Sequence, residues 1–466
     1  MELEKAPLAG LKTTANAGHR AHMAEEDRII ARVLASPLEV DAIAWNGLLA
    51  LQSHPTPFLR HEYLAALHES GSATPKRGWT PRFMTLWEGD TLLAACPLYL
   101  KSHSYGEYVF DWAWASAYEQ HGVPYYPKAT IAVPFTPVPG TRLMARDGDS
   151  RALLVQAVCQ WCESQGVSSV HVLFASGDDV KTSAEEGLML RHTVQFHWKN
   201  EPPPGPHPQG TSDAIEPGSN APARYASFDD FLASLAQDKR KKIRQERRRV
   251  TEAGVTFRWS RGADISAADW DFFYRCYERT YLEHGNPPYL TRDFFARMAQ
   301  TMPEAWLLFI AEKEGSPIAS SLIALGEHGT AAAGGGEPEQ APGRPKPASA
   351  PLGGSEDTPV PSVGAHDLVA YGRYWGALER VDCLHFEACY YQPLQWCIEH
   401  GAARFEGGAQ GEHKMARALL PVQASSAHWL AHPAFAEAVE RFLEREGQGV
   451  EGYLEELQGR SPFRQG

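Results

Sequence analysis

WLLFIAEKEGSPIASSLIAL, residues 306–325, reads as two apolar runs joined by a short polar turn. WTPRFMTLWEGDTLLAACPLYL, residues 79–100, follows the same plan, with EGD in the place of EGS. Apolar runs of this length around a turn that contains glycine are typical of a β-hairpin. The likeness of the two stretches indicates an internal repeat, with one antiparallel strand pair in each copy.

Three more pairs of segments follow the repeat in the same order. They are AIAWNGLLAL (42–51) with ADWDFFYRCY (268–277), PFLRHEYLAALHE (57–69) with PYLTRDFFARMAQ (288–300), and QWCESQGVSSVHVLFA (160–175) with QWCIEHGAARFEGGA (395–409). Each copy therefore predicts two amphipathic helices, the hairpin, a further strand, a helix ending at a glycine, and a last strand. The further strand is expected in YGEYVFDWAWA (105–115), with Trp112 and Trp114 on one face, and in LVAYGRYWGAL (368–378). This order of elements builds a mixed α/β sheet.

The composition is that of a globular protein with more than one core. The chain has 466 residues, of which 43% are hydrophobic. Its net charge of −13 argues against a general nucleic-acid binder. No apolar run reaches the ~18–20 residues of a membrane span, and the first residues lack the apolar core of a signal peptide. Because the seven cysteines are scattered and odd in number, we expect a cytoplasmic protein with reduced thiols.

Two segments rich in Pro, Gly, Ala and Ser divide the chain. Residues 199–223 and 327–365 have no hydrophobic period, so we expect both to be disordered insertions. The second separates two strands that should pair. The expected organisation is a flexible leader at 1–37, a first domain at 38–198, a second domain at 224–440 and a helical tail at 441–466.

Several segments resemble a known family more specifically than the element order does. They are YGEYVFDWAWA (105–115), YYPKATIAVPFTPVPG (125–140), QFHWKN (195–200), YASFDDFL (225–232) and FEGGAQGEHKMAR (405–417). They are similar to FemAB-like proteins of the GNAT superfamily, which carry the label peptidoglycan biosynthesis/recognition. The resemblance implies an α/β fold made of a tandem duplicated GNAT-like unit with mixed central sheets, in the Fem-type arrangement.

The resemblance also implies a chemistry. Such proteins transfer an acyl or aminoacyl group to an amine, with acetyl-CoA, another acyl-CoA or aminoacyl-tRNA as donor and a peptide or peptidoglycan precursor as acceptor. The donor would lie in a splay between two central strands. The usual glycine pair before the following helix is missing between Gly376 and Trp396, which argues against ordinary acetyl-CoA binding. An acetyl-CoA-dependent N-acetyltransferase and a non-catalytic receptor for a peptide or precursor remain as alternatives.

The richest candidate for chemistry is RFEGGAQGEHKMARALLPVQ, residues 404–423. Glycines at the end of a strand let the backbone turn sharply or approach a ligand closely. A carboxylate or histidine there could take the proton that an attacking amine must lose. The alternative is a tight turn whose polar side chains cap a helix. The candidate bases are Glu406, Glu412 and His413, and the candidate binding residues are Gly407, Gly408, Gln410, Gly411 and Lys414.

A second candidate region, residues 104–140, combines aromatic and polar side chains. Such a mixture is typical of a pocket for a sugar or an extended peptide, and it is also typical of a core strand with a proline-rich crossover. The groove between the copies is expected to be lined by residues 104–137 and 404–417. The candidate binding residues here are Asp111, Trp112, Tyr118, Tyr126 and Lys128, and in the second copy Tyr281, Arg373 and Tyr374.

Two further motifs are less specific. KRKKIRQERRRV, residues 239–250, is expected to continue the helix begun by FDDFLASLAQ and could contact tRNA or other phosphates. Its alternative is a solvated basic face. The C-x-x-C of Cys159 and Cys162 has no second pair, so two packed thiols are expected there, and no metal site is predicted.

Overall fold

The computed structural model describes residues 28–202, 224–329, 366–409 and 411–464. Most of both predicted insertions, and residues 1–27 of the predicted leader, lie outside the described residues. The first half contains strands β1 (Ile29–Leu34), β2 (Trp79–Pro81), β3 (Phe83–Glu88), β4 (Thr91–Cys96), β5 (Leu98–Lys101), β6 (Lys128–Ile131), β7 (Met144–Ala145), β8 (Ser169–Ala175) and β9 (Met189–Lys199). Its helices are α1 (Ala42–Ala50), α2 (His61–Glu69), α3 (Trp112–Gln120), α4 (Gly148–Ser164) and α5 (Gly177–Glu185).

The second half repeats the order of helices, hairpin, strand, helix and strand. Its strands are β10 (Val255–Arg261), β11 (Trp306–Lys313), β12 (Ser316–Gly329), β13 (His366–Ala377), β14 (Arg404–Ala409) and β15 (Leu420–Leu430). Its helices are α6 (Phe228–Ser234), α7 (Gln237–Glu252), α8 (Ala267–Glu283), α9 (Arg292–Thr301), α10 (Leu384–Phe386), α11 (Gln392–Glu399) and α12 (Pro433–Gly459), with a π-helical turn at Glu387–Tyr391 between α10 and α11. The predicted mixed α/β fold is confirmed.

Both predicted hairpins form. Glu88 lies opposite Thr91 at the end of β3 and β4, and Lys313 lies opposite Ser316 at the end of β11 and β12. In the second turn, Glu314 and Gly315 have φ of 52° and 74°, as a type I′ turn requires. The strands β12 and β13 that flank the second insertion pair with each other, as expected.

The first hairpin is interrupted, whereas the second is continuous. Beyond Arg82 and Pro97 its arms continue as β2 and β5, which belong to a different sheet from β3 and β4. Pro97 has no N–H to donate to a ladder, so the break falls where the sequence cannot extend the pairing. A four-stranded sheet, β1-β3-β4-β7, therefore stands beside the main sheet.

The main sheet joins the halves by an exchange of strands. Its eleven strands have the order β10-β11-β12-β13-β14-β9-β15-β8-β6-β5-β2. Strand β9 of the first half pairs with β14 and β15 of the second, and β15 also pairs with β8. Each half is thus completed by a strand of the other. We keep the division at 38–198 and 224–440 as a proposal about the repeat, without implying two separable units.

The apolar core is shared in the same way. One cluster lies between the main sheet and α1, α2, α8 and α9. In it Phe58 meets Tyr371 at 5.4 Å, and Tyr63 meets Phe294 at 5.2 Å, between ring centroids. A second cluster covers the opposite face of β11 and β14 beneath α6 and α11. Burial on both faces explains the continuous apolar run at the start of β11.

Three expectations about elements are wrong. The leader was expected to be flexible to residue 37, but residues 29–34 form β1, which pairs with β3. The segment 105–115 is not a strand: its last part begins α3, so Trp112 is exposed and Trp114 is buried. The basic segment does not continue the preceding helix, because the chain is extended at Leu235 and a new helix, α7, begins at Gln237.

The C-terminal helix begins earlier than the expected tail, at Pro433. Phe435, Val439 and Leu443 on it pack against Tyr118 and Trp114 of the first half. None of the helices in the described ranges is both long and apolar enough to cross a membrane.

Candidate functional site

The parallel strands β13 and β14 separate part of the way along their length. Val369, Ala370 and Tyr371 pair with Arg404, Phe405 and Glu406, and the pairing then stops. Glycines follow on both strands. A Cβ at Gly407 would collide with Leu419 and lie 3.1 Å from the Phe196 carbonyl oxygen, so only glycine fits at this point. The result is a gap in the centre of the main sheet.

Two cavities meet at this gap. A cleft of about 900 Å³ lies on one side, and a smaller cavity of about 160 Å³ lies on the side to which Phe405 points, under the π-helical turn. Both are lined by the same four residues of the gap, Gly372, Arg373, Tyr374 and Gly407. The two cavities therefore share part of their lining, and we call this shared lining the passage.

The large cleft lies between the halves and is walled by α12. This is the groove that residues 104–137 and 404–417 were expected to line. Seven of the predicted site residues line it: Tyr281, Arg373, Tyr374, Gly407, Gly408, Gly411 and Glu412. The first half contributes residues 108–110, Phe135, Pro137 and part of β9, and α12 contributes Glu446, Val450 and Tyr453.

Arg373 places a positive charge at the junction of the two cavities. Its Nη2 donates to the Phe135 carbonyl oxygen at 3.0 Å and lies 3.4 Å from Thr136 Oγ1. Its Nε has no hydrogen-bond partner. No carboxylate of the described ranges lies within ion-pair distance of it. A guanidinium in this state is suited to a carboxylate or phosphate ligand.

The two carboxylates that line the cleft are already engaged. Glu446 accepts two hydrogen bonds of 2.8 Å from Arg191. Glu412 accepts hydrogen bonds of 2.8 Å from Tyr453 and from Arg460. These bonds hold the pKa of Glu412 below its usual value, so Glu412 is a weak base.

Glu406 lies behind the cleft wall and does not line it. Its Oε1 lies 2.9 Å from Arg404 Nε, and its Oε2 lies 3.8 Å from His197 Nε2 without a hydrogen bond. Burial raises the pKa of Glu406 to about 7, a value suited to a proton acceptor near neutral pH.

His197 lies between this buried carboxyl and Gln195, on the side of the cleft. Burial lowers the pKa of His197 to about 3, so its ring is neutral. Its Nε2 lies 3.3 Å from Gln195 Oε1, and Gln195 Nε2 donates to the Pro137 carbonyl oxygen at 2.9 Å. Pro137 lines the cleft. Polar side chains therefore lie between Glu406 and the cleft wall, with a break of 3.8 Å between Glu406 Oε2 and His197 Nε2.

His413 and Lys414 have other positions. The His413 ring packs near Phe386, and its Nε2 lies 3.3 Å from the Tyr390 hydroxyl, beside the smaller cavity. Lys414 is buried and donates to the carbonyl oxygens of Gly407, at 2.6 Å, and Gly408, at 3.2 Å. Burial lowers the pKa of Lys414 to about 8. Its contacts fix the glycine turn. Gln410 lies outside the described residues.

The predicted aromatic pocket of the first half is not part of the cleft. Lys128 is buried and binds Glu107 at 2.7 Å, together with Asp111. Tyr118 stacks on Phe435 of α12 at 3.9 Å between ring centroids. Tyr126 shares a 2.9 Å hydrogen bond with Ser104, and Trp112 lies exposed beside Tyr105. Four of these candidates therefore support the loop 102–111 and α12 from outside the cleft, and Trp112 lies exposed on the surface.

Sequence reasoning missed several residues of the cleft. Arg191 and His192 come from β9, and Glu446 comes from α12. The Arg191–Glu446 pair joins residues 255 positions apart, so no local pattern could reveal it. The charged side chain at position 191 in an otherwise half-apolar strand is the only signal that the sequence offers.

The basic segment forms an exposed face on α7. Arg247 pairs with Glu387 and Arg249 with Asp382, while Arg240, Lys241 and Arg248 line a shallow surface groove. The cysteines of the C-x-x-C lie on α4 as free thiols, and burial raises the pKa of Cys159 to about 12.

Comparison with known proteins gives one family match. A family model described as FemAB-like, peptidoglycan biosynthesis/recognition, matches residues 36–203, 219–330 and 363–465. The comparison with curated proteins gives no match.

Among solved structures, the chain is similar to FemX, with 9% identity, a TM-score of 0.46, and coverage of 86% of this chain and 98% of FemX. It is similar to L-PGS from Bacillus licheniformis, with 11% identity, a TM-score of 0.43, and coverage of 84% and 98%. A tandem GNAT protein from the clavulanic acid biosynthesis pathway gives 12% identity, a TM-score of 0.38, and coverage of 87% and 99%.

Proposed function

Because the chain belongs to the FemAB-like family of peptidoglycan biosynthesis and recognition, we propose that it is an N-acyltransferase acting on the amine of a peptide or peptidoglycan precursor. The observation that carries the proposal is the gap between β13 and β14, where two cavities meet at one guanidinium that has no carboxylate partner in the described ranges. A donor entering from one side and an acceptor entering from the other would come together there.

The proposed reaction is a direct attack of the acceptor amine on the donor carbonyl carbon. The new C–N bond forms as the C–O or C–S bond to the donor carrier breaks, and the carrier leaves with a proton. Arg373 would hold a carboxylate or phosphate of one substrate, since its charge has no carboxylate partner in the described ranges. Holding the two reactants in this orientation supplies part of the rate enhancement.

The proton that the amine loses would pass to Glu406. Of the three candidate bases, Glu412 is weakened by its two hydrogen bonds, and His413 lies beside the smaller cavity. Glu406 has the pKa that suits the task, about 7 because of burial, and His197 lies between it and the cleft wall. We infer that Glu406 is the final acceptor of the proton, and the transfer requires the His197 ring, whose Nε2 lies 3.8 Å from Glu406 Oε2, to move into hydrogen-bond distance.

Acetyl-CoA is the less favoured donor. The helix that follows β13 begins at Leu384 after Cys383, without a glycine pair. Its first turns contain the buried carboxylate Glu387, which pairs with Arg247, and a carboxylate at this end of a helix opposes a pyrophosphate. Aminoacyl-tRNA, whose recognition does not depend on that glycine pair, is the donor that we propose instead.

A receptor without turnover is the second candidate function. The observation in its favour is that both carboxylates lining the cleft within the described ranges, Glu412 and Glu446, are held in hydrogen bonds. A receptor would bind a precursor in the cleft through Arg373 and would have no use for a carboxyl of raised pKa behind the wall.

One assay separates these functions. Transfer of a labelled group to a synthetic muramyl pentapeptide is measured with acyl-CoA and with aminoacyl-tRNA as donors. The variant Glu406→Gln should lower the rate constant by at least about a hundredfold, the contribution of a general base, while the dissociation constant of the pentapeptide stays unchanged.

The matched variant is Glu412→Gln, which removes the other strand-end carboxyl and should lower the rate by less than about tenfold. Pentapeptide binding by the wild-type protein without transfer from either donor would establish the receptor instead. Equal losses in the two variants would contradict the role of Glu406.

A further inference from the structure

A cluster of exposed aromatic side chains borders the mouth of the cleft. Tyr105, Tyr108, Phe110 and Trp112 are 60%, 37%, 56% and 41% exposed. We call these four residues the aromatic rim. They account for four of the nine large hydrophobic side chains exposed in the described part of the chain. Single exposed apolar side chains are ordinary, but a contiguous group of them marks an interaction surface.

The loop that carries the rim is held rigidly from beneath. Between the exposed aromatics, Glu107 and Asp111 point inward, and both bind the ammonium group of the buried Lys128. Lys101 Nζ donates to the Tyr105 carbonyl oxygen at 3.2 Å, and Arg191 Nη1 donates to the Phe110 carbonyl oxygen at 2.8 Å. A buried ion cluster is costly to desolvate, and here it fixes the outward direction of the aromatics.

Positive charge flanks the rim. Lys76 and Arg77 are exposed and take part in no ion pair within the described ranges. They precede Gly78, which lies against the His103 ring, and His103 contacts Tyr105 at 5.3 Å between ring centroids. In a chain with a net charge of −13, this local excess of cations beside aromatic side chains is distinctive.

The rim is continuous with the cleft. Tyr108 and Phe110 belong to both, and Tyr281 lines the cleft next to Leu282, which is also exposed. A surface that binds the rim would therefore cover the region around the entrance and leave the cleft opening toward that surface.

We propose that the aromatic rim docks onto a lipid bilayer that contains anionic headgroups. Tyr and Trp side chains prefer the boundary between headgroups and hydrocarbon because they have an apolar body and a polar tip. Lys76 and Arg77 complement the negative charge of such a surface. The docking rests on the loop alone. That the acceptor is carried by a lipid in the same membrane rests, in addition, on the proposed function.

The test is co-sedimentation of the full chain with vesicles. One set contains phosphatidylcholine alone, and the other contains phosphatidylcholine and phosphatidylglycerol in about equal parts. The wild-type protein should bind the anionic vesicles more strongly. The double variant Tyr105→Ser/Trp112→Ser, whose two positions do not line the cleft, should bind them roughly tenfold more weakly, through the loss of two interfacial aromatics.

The matched control is Trp259→Ser. Trp259 is 47% exposed, similar to Trp112, but it lies on β10 at the opposite edge of the main sheet, so this variant should bind like the wild type. The variant Lys76→Gln/Arg77→Gln should bind the two sets of vesicles equally, because the cations that distinguish the anionic surface are removed. Circular dichroism checks the fold, and Trp112→Ser alone replaces the double variant if that fails to fold.

The proposal is overturned if the wild-type protein stays in the supernatant with both vesicles, or if Tyr105→Ser/Trp112→Ser binds as the wild type does. It is also overturned if the double variant loses affinity for a soluble muramyl pentapeptide and keeps its affinity for vesicles. Failure of the proposed chemistry is distinguishable, because Glu406→Gln should co-sediment like the wild type whether or not transfer is observed.

Discussion

The parallel strand pair of the first half, β6 and β8, is sealed where its counterpart in the second half, β13 and β14, is open. In both halves three residue pairs lie in parallel register. After Ile131 and Val172 the first pair is rejoined by a bridge between Gly140 and Ala175. After Tyr371 and Glu406 the second pair separates. The two halves thus share one scaffold, whose parallel strand pair is bridged in the first half and separated, beside two cavities, in the second.

An arginine accompanies each strand pair, and the two arginines, the buried Arg142 and the half-buried Arg373, show how the difference arises. Arg142 donates to three backbone carbonyl oxygens, those of Leu173, Thr141 and Val138. Arg373 makes few such bonds, and its Nε faces no acceptor. The first guanidinium satisfies the backbone that closes the gap, whereas the second makes fewer backbone hydrogen bonds and lines both cavities.

The largest expected effect separates these two arginines. Arg142→Met should lower the free energy of unfolding by roughly 3–5 kcal/mol, because three carbonyl groups lose a charged donor in a buried site. Arg373→Met should lower it by about 1 kcal/mol and weaken pentapeptide binding at least about tenfold. Urea unfolding and isothermal titration measure the two quantities. Equal destabilisation by both substitutions would show that Arg373 has the structural role of Arg142.

The next prediction concerns the glycines beside the two parallel strand pairs, Gly140 in the first half and Gly407 in the second. A Cβ at Gly407 would collide with Leu419, and a Cβ at Gly140 would collide with Thr56. Both alanine variants should lose roughly 1–3 kcal/mol of stability, as overpacked positions do. Only Gly407→Ala should also weaken ligand binding, because only Gly407 lines the passage. The comparison fails if Gly140→Ala weakens binding by the same factor, measured by titration at a temperature where both variants are folded.

Local features of this fold could be predicted from the sequence, and long-range ones could not. The hairpin at Glu314 and Gly315 follows from turn chemistry. The strand expected over residues 105–115 was wrong because Trp112 and Trp114 alternate like strand residues, while a loop and a helix hold them. The exchange of β9 and β15 depends on pairing between distant segments, which no local pattern encodes.

The candidate site could be predicted from the sequence to the same extent as the fold. Glu406 and the glycines after it mark the end of a strand in the sequence, and the structure places those glycines on the cleft. The engagement of Glu412 by Tyr453 and Arg460 depends on where α12 returns. Lys128 and Asp111 were expected in a pocket because their chemistry is that of ligand binding, and they instead hold a loop. The type of a residue indicates the chemistry that it can perform, but tertiary packing decides whether its side chain binds a ligand or another side chain.

The smallest effect concerns pH, and it again contrasts the halves. Each half has a buried carboxyl beside its strand pair: burial raises the pKa of Asp179 to about 6 and that of Glu406 to about 7. A carboxyl with a folded-state pKa above its unfolded value binds its proton more tightly when folded, so stability is highest at acid pH and falls as pH rises toward the folded pKa. The loss of stability should extend from pH 4.5 to about pH 7 for Glu406 and from pH 3.8 to about pH 6 for Asp179.

Glu406→Gln and Asp179→Asn should each remove their own part of this fall, measured by urea unfolding at several pH values. The transfer rate distinguishes the two carboxyls further. A base must be deprotonated to act, so the rate should rise through pH 7 in the wild type and in Asp179→Asn, and the small residual rate of Glu406→Gln should lack that rise. A rise that persists in Glu406→Gln would assign the ionisation to another group and leave Glu406 as a buried carboxyl of the same kind as Asp179.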